Sequence, residues 1–87
     1  MNTALTTMAT IAKHFGFTDI QESNGNSLRI YTTLKHTKSY IRFYNWNETN
    51  DVSACIHGDA TKHPVTTNYN INDKHDIILF KARCRRM

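Results

Sequence analysis

Over residues 4–16, apolar side chains recur at three- and four-residue spacing: Leu5, Met8, Ala12 and Phe15, with Ile11 at the border of the stripe. This is the period of an amphipathic helix. Thr3 or Thr6 is placed to cap its start, and Lys13 and His14 fall where the helix dipole favours cations. Gly16 fits a left-handed position just past the last turn, with Phe17 placed for the hydrophobic contact of a Schellman ending.

Beyond Gly16 the period changes to two. Residues 18–23 predict a weak strand around Ile20, and Asn24-Gly25 predicts a type I′ hairpin turn. In residues 27–34, Leu28, Ile30, Thr32 and Leu34 share one face, and Arg29, Tyr31 and Thr33 the other. In residues 38–46, Ile41 and Phe43 face one way, and Tyr40, Arg42, Tyr44 and Trp46 the other. Pairing Ile30 with Phe43 and Thr32 with Ile41 gathers the aliphatic groups on one side. A slip of one residue would mix the faces. That register places Arg29 opposite Tyr44 and Tyr31 opposite Arg42, with a short connection around His36-Thr37.

Val52, Ala54 and Ile56 predict a further strand over 52–57, followed by a loop over 58–64 with Gly58 and the only proline, Pro64. Val65, Thr67, Tyr69 and Ile71 share a parity and suggest a mostly polar strand; residues 72–76 read as a turn. The run Ile77-Ile78-Leu79-Phe80 suits a strand over 77–84 buried on both faces, with a closing helix as the alternative. The expected fold is α+β: an N-terminal helix packed on one face of a meander-like antiparallel sheet of four to six strands. At 87 residues, the chain is expected to form a single domain.

Composition changes this picture in two places. The formal charge is +4, and four basic residues, Lys81, Arg83, Arg85 and Arg86, lie at the C-terminal end. Without them, seven basic and seven acidic residues remain, so the excess charge belongs to a basic tail suited to steering an acidic partner. The two cysteines, Cys55 and Cys84, form no CxxC frame and no disulfide scaffold. Reduced thiols in a cytoplasmic protein are expected, although strands that paired side by side would allow a bridge. No run reaches the roughly 20 apolar residues of a membrane span. The N-terminus lacks a signal-peptide pattern, and, with no tag or linker present, Met1 is expected to be a natural start.

The most informative chemistry is the row Arg29, Tyr31, Tyr40, Arg42, Tyr44 and Trp46. Rings and guanidinium planes stack on unpaired bases, and the same residues dominate protein-binding hot spots. Cross-strand pairing that merely stabilises the sheet is the plainer role. Cys55, His57, Asp59 and His63 carry donor types that zinc accepts, but their spacing follows no known ligand pattern, and no metal site is assigned. His57 or His63 with Asp59, or His75 with Asp76, offers a general base without a positioned nucleophile. The absence of GxGxxG and GxxxxGK[ST] leaves no phosphate-cradling loop, and no cofactor is expected.

The order helix, Gly-Phe, strand, turn, strand, strand over residues 8–46 resembles the small double-stranded-RNA-binding-like HicA toxins. The resemblance implies a catalytic histidine at the start of the second strand, where this chain has Asn26-Ser27-Leu28. From the alternation over residues 28–46, the expected function is a non-enzymatic binding protein, of a kind common among phage or mobile-element proteins that inhibit host machinery. It would dock Arg29, Tyr31, Tyr40, Arg42, Tyr44 and Trp46, aided by Arg83, Arg85 and Arg86, on a host protein or nucleoprotein. A single-stranded RNA- or DNA-binding module and a small histidine-dependent nuclease are the alternatives.

Overall fold

The computed structural model describes residues 3–32, 39–45, 49–57 and 64–86, except for the side chain of Glu22. The elements run α1 (Thr3–Lys13), β1 (Phe17–Ser23), β2 (Ser27–Thr32), β3 (Tyr40–Tyr44), β4 (Asp51–His57), β5 (Thr66–Asn70) and α2 (Lys74–Arg85). The strands form one five-stranded antiparallel sheet in the order β1-β2-β3-β4-β5. The expected α+β meander with a helix on one face is therefore present.

Helix α1 buries Ala4, Leu5, Met8, Ala9 and Ala12, the stripe its spacing predicts. It begins at Thr3, so Thr6 lies inside the helix rather than capping it. On the outer side, Thr7 Oγ1 donates to the Thr3 carbonyl at 2.9 Å and Thr10 Oγ1 to the Thr6 carbonyl at 2.8 Å. Gly16 takes φ 93, the left-handed conformation expected at this exit, and Phe17 beyond it is buried.

One face of the sheet is covered. Helix α1 packs on β1, β2 and β4, and α2 packs on β5 and α1. Leu28, Ile30, Ile41, Phe43, Val52, Ala54 and Tyr69 project into this layer and meet Leu5, Met8 and Phe80 in one core. Phe80 lies edge-on to Phe43 at 5.8 Å and to Tyr69 at 5.2 Å between ring centroids.

Several local expectations are corrected. The segment over 77–84 is not a strand but part of α2. The Asp73 carboxylate accepts from the backbone N–H groups of His75 and Asp76, so the expected turn over 72–76 is mostly the start of this helix. Ile77, Phe80 and Cys84 turn inward at helical spacing, while Ile78 is 62% and Leu79 46% exposed. An apolar run of four does not distinguish a strand from a helix; the cap and the tertiary contacts do.

The β2–β3 register is also corrected: Ile30 pairs with Ile41, Leu28 with Phe43, Arg29 with Arg42 and Tyr31 with Tyr40. The faces are as expected, because a slip of two residues leaves every side chain on its own side. Burial alone therefore does not choose between the two registers. Asn45 shows what does. It is 1% exposed, its N–H donates to the Asn26 carbonyl at 2.8 Å, and its side-chain amide donates to the carbonyls of Thr49 and Asp51, each at 2.8 Å. These bonds end β3 and fix the start of β4. The expected connection around His36-Thr37 lies outside the described residues.

The β1–β2 turn is not type I′. Gly16, not Gly25, is the described glycine with positive φ. Asn24 Oδ1 accepts from the N–H groups of Asn26 and Ser27 and from the Ser27 hydroxyl, at 3.2, 3.0 and 2.9 Å. The side chain thus takes the place of a backbone acceptor, while the Asn24 N–H donates to the Ser27 carbonyl at 3.0 Å and closes the turn around Gly25-Asn26. Farther along, Val65 falls outside the pairing that begins at Thr66 and is exposed.

Candidate functional site

The reverse of the sheet carries no helix packing in the described structure. Alternation along β2 and β3 sends Arg29, Tyr31, Tyr40, Arg42 and Tyr44 to this side, all of them half-buried among their neighbours. The corrected register arranges them in rows across the strands. The first row runs Asp19, Tyr31, Tyr40 and His57. The second runs through Arg29, Arg42, Cys55 and Thr66. The third runs through Ser27, Tyr44, Ser53 and Asn68.

The first row is a stack of rings. Tyr31 and Tyr40 lie 4.8 Å apart, tilted by 33°, and Tyr40 and His57 lie 4.5 Å apart at 8°. The Arg29 guanidinium is 5.4 Å from the Tyr40 ring centroid, close enough for cation–π attraction. Tyr40 is thus flanked by rings from both neighbouring strands. It presents an edge and a hydroxyl rather than a platform for an incoming base. His57, considered from the sequence only as a general base with Asp59 or as a zinc donor, belongs to this ladder; only the register reveals that.

Between the second and third rows is a depression of about 270 Å³ lined by Ser27, Leu28, Arg29, Arg42 and Tyr44. Arg29 and Arg42 are direct backbone partners there. In the third row, the Ser53 hydroxyl donates to Asn68 Oδ1 at 2.6 Å. Acidic residues lie at the margins: Asp19 on edge strand β1, where its carboxylate accepts from the Gln21 amide, and Asp51 at the start of β4.

The structure does not bring the C-terminal arginines to this face. They belong to the end of α2, in the helical layer on the other side of the sheet, and not to a loose tail. Arg83 Nη1 donates to Thr67 Oγ1 at 3.1 Å, the Arg85 guanidinium is 5.8 Å from the Phe15 ring of α1, and Arg86 caps the helix. Trp46 lies outside the described residues, as do Asp59 and His63 of the set considered for zinc. No group of three or more His, Cys, Asp or Glu suited to a metal occurs among the described residues.

Cys55 faces the open side beside Arg42, whereas Cys84 is in the core; both are free thiols. Burial pushes the Cys84 thiol from 9.0 up to about 12. Its environment therefore holds it protonated and unreactive at neutral pH. The Asp76 carboxylate accepts from the Asn70 N–H at 2.8 Å, a backbone contact that ties α2 to β5. The helix–strand–strand–strand order that resembles the HicA toxins is present in α1 to β3. At the position of the implied histidine, the Ser27 hydroxyl is committed to Asn24.

In comparisons with known proteins, no protein-family model, no curated protein and no solved structure matches the chain. No helix among the described residues is long and apolar enough to cross a membrane.

Proposed function

We propose that the chain is a non-enzymatic binding module that docks a protein partner on the open face of its sheet. The observation that carries this reading is the layout of that face. Arginine and tyrosine are gathered on the two adjacent strands β2 and β3, and acids stand at the margins. Protein interfaces share this anatomy: aromatic and arginine anchors at the centre, within a polar rim of mixed charge. Such residues contribute binding energy through rings and guanidinium planes already held in place by their neighbours, so little side-chain entropy is lost on docking.

The basic end of α2 points elsewhere, which removes a main support for nucleic acid as the partner of this face. Inhibition or regulation of a host protein, as by a phage or mobile-element product, is the finer form of the same reading. Covering a partner's surface needs no chemistry beyond binding.

The test is capture from nuclease-treated lysate of the source cell. Wild-type protein is expected to retain a protein partner, and the double variant Arg42→Ala/Tyr44→Ala to lose it. The thermal melt of the double variant should stay close to wild type, since half-exposed substitutions of this kind cost about 1 kcal/mol or less. Equal capture by the double variant, or capture that disappears with nuclease, overturns the reading.

A further inference from the structure

The outer side of α2 carries a combination of side chains that neither the core nor the open face of the sheet uses. Ile78 is 62% and Leu79 46% exposed, the two large apolar side chains that this helix leaves in water. Cations stand at both ends of the helix around them. Lys74, Ile78, Ala82 and Arg86 follow one another at four-residue spacing and share a ridge, with His75 and Leu79 beside it. Lys74, His75, Arg85 and Arg86 are all exposed.

The surface around this ridge is poor in free acid. Helix α1, which packs beside α2, contains no Asp or Glu and exposes Thr3, Thr6, Thr10 and Lys13. The two acids at the start of α2 are committed to backbone groups. Asp73 accepts from the N–H groups of His75 and Asp76, and Asp76 from that of Asn70. Asp19 and Asp51 belong to the other side of the sheet.

We propose that the helical side binds the surface of an anionic lipid bilayer. Ile78 and Leu79 enter the boundary between headgroups and acyl chains, and Lys74, Arg85 and Arg86 meet the anionic headgroups. An interfacial helix needs this pairing of apolar side chains that leave water with cations around them. Other occupants satisfy only half of it. A second copy is opposed by charge, since pairing two α2 ridges sets Lys74 against Lys74 or against Arg86. A nucleic-acid strand satisfies the cations but places Ile78 and Leu79 against phosphate and sugar. A protein groove takes a helix that stands clear of its own domain. Helix α2 is sunk between α1 and β5, with Phe80 and Cys84 in the core and Ile77, Lys81 and Ala82 half-buried. A bilayer is flat and needs only the crest. This surface is separate from the open face and does not depend on it.

The experiment is co-sedimentation at about 50 mM salt, where ionic contacts are weakly screened. The probes are vesicles of equal parts phosphatidylcholine and phosphatidylserine, vesicles of phosphatidylcholine alone, and a labelled DNA duplex followed by anisotropy. Wild-type protein is expected to pellet with the anionic vesicles and to stay in solution with the neutral ones. Ile78→Gln/Leu79→Gln keeps every charge and should weaken vesicle binding by about tenfold or more. Lys74→Gln/Arg86→Gln should also weaken it by about tenfold or more, at roughly fivefold for each cation. Arg42→Gln removes one charge from the opposite side of the sheet and should bind the vesicles as wild type does. The substituted helix positions are exposed, so thermal melts should stay close to wild type. If a double variant melts early, the single substitutions Ile78→Gln and Arg86→Gln should show the same losses in smaller steps.

The proposal is overturned if wild-type protein stays in solution with the anionic vesicles. It is also overturned if Ile78→Gln/Leu79→Gln binds them as wild type does, which would reduce the contact to charge alone, or if Arg42→Gln and Arg86→Gln weaken binding equally. A DNA duplex that depends on Lys74 and Arg86 while the vesicles do not would assign the surface to nucleic acid instead.

Discussion

On the side of β2 and β3 that meets the helices, Leu28 is 1% exposed and Ile30, Ile41 and Phe43 are 0% exposed. On the reverse of the same two strands, Arg29, Tyr31, Tyr40, Arg42 and Tyr44 are all half-buried. The backbone is shared, and only the parity of the residue number separates the two surfaces. The covered side is stabilised by apolar area removed from water and by close packing, terms that grow with every neighbour. The open side is held by a few ring and cation–π contacts, each worth about 0.5–1.5 kcal/mol. One surface therefore carries most of the stability. The other pairs polar and aromatic side chains, with Arg29 opposite Arg42 across the two strands.

Removing the strongest contact on the covered side gives the largest effect. Phe80→Ala should cost about 3–5 kcal/mol in urea denaturation, because the ring fills the space between Phe43 and Tyr69. A cost below about 1 kcal/mol would mean that α2 does not close the core. Tyr31→Ala measures the open side on the same scale. It removes one ring from the ladder and should cost about 0.5–1.5 kcal/mol. If the two variants were equally destabilised, the division between the faces would fail.

The smallest effect at neutral pH belongs to the thiol at the end of α2. Burial raises the Cys84 thiol from 9.0 to about 12 in the folded chain. Above pH 9.0 the unfolded chain releases this proton while the folded chain keeps it, so the unfolded state is favoured as pH rises. The contribution of the neutral buried thiol is complete below that pH and is lost towards about pH 12. Denaturation midpoints should fall more steeply with alkaline pH in wild type than in Cys84→Ala. Parallel slopes would place the thiol in water.

Much of this was legible before any coordinates. The stripe of α1, the left-handed Gly16 and the two faces of β2 and β3 all follow from period and parity. Those signals repeat over many residues, and one face must be dry, so errors in them are costly. Of the residues singled out in the sequence, Arg29, Tyr31, Tyr40, Arg42 and Tyr44 do share the open face, whereas Arg83, Arg85 and Arg86 do not, and the geometry was not legible at all. Pairing Arg29 with Arg42 instead of Tyr44, and adding His57 to the tyrosine ladder, required the register.

The sequence by itself determined which residues could be buried together, because alternation and helical spacing sort side chains by solvent preference without knowledge of neighbours. Tertiary structure decided the rest: α2 instead of a sixth strand, a register two residues from the expected one, and arginines of the C-terminal end on the side of the sheet away from the tyrosines. Each of these choices keeps the same residues apolar or polar. They are settled by the Asp73 cap, the bond from the Asn45 N–H to the Asn26 carbonyl, and the packing of Phe80 against Phe43 and Tyr69. Those contacts exist only once the chain has folded.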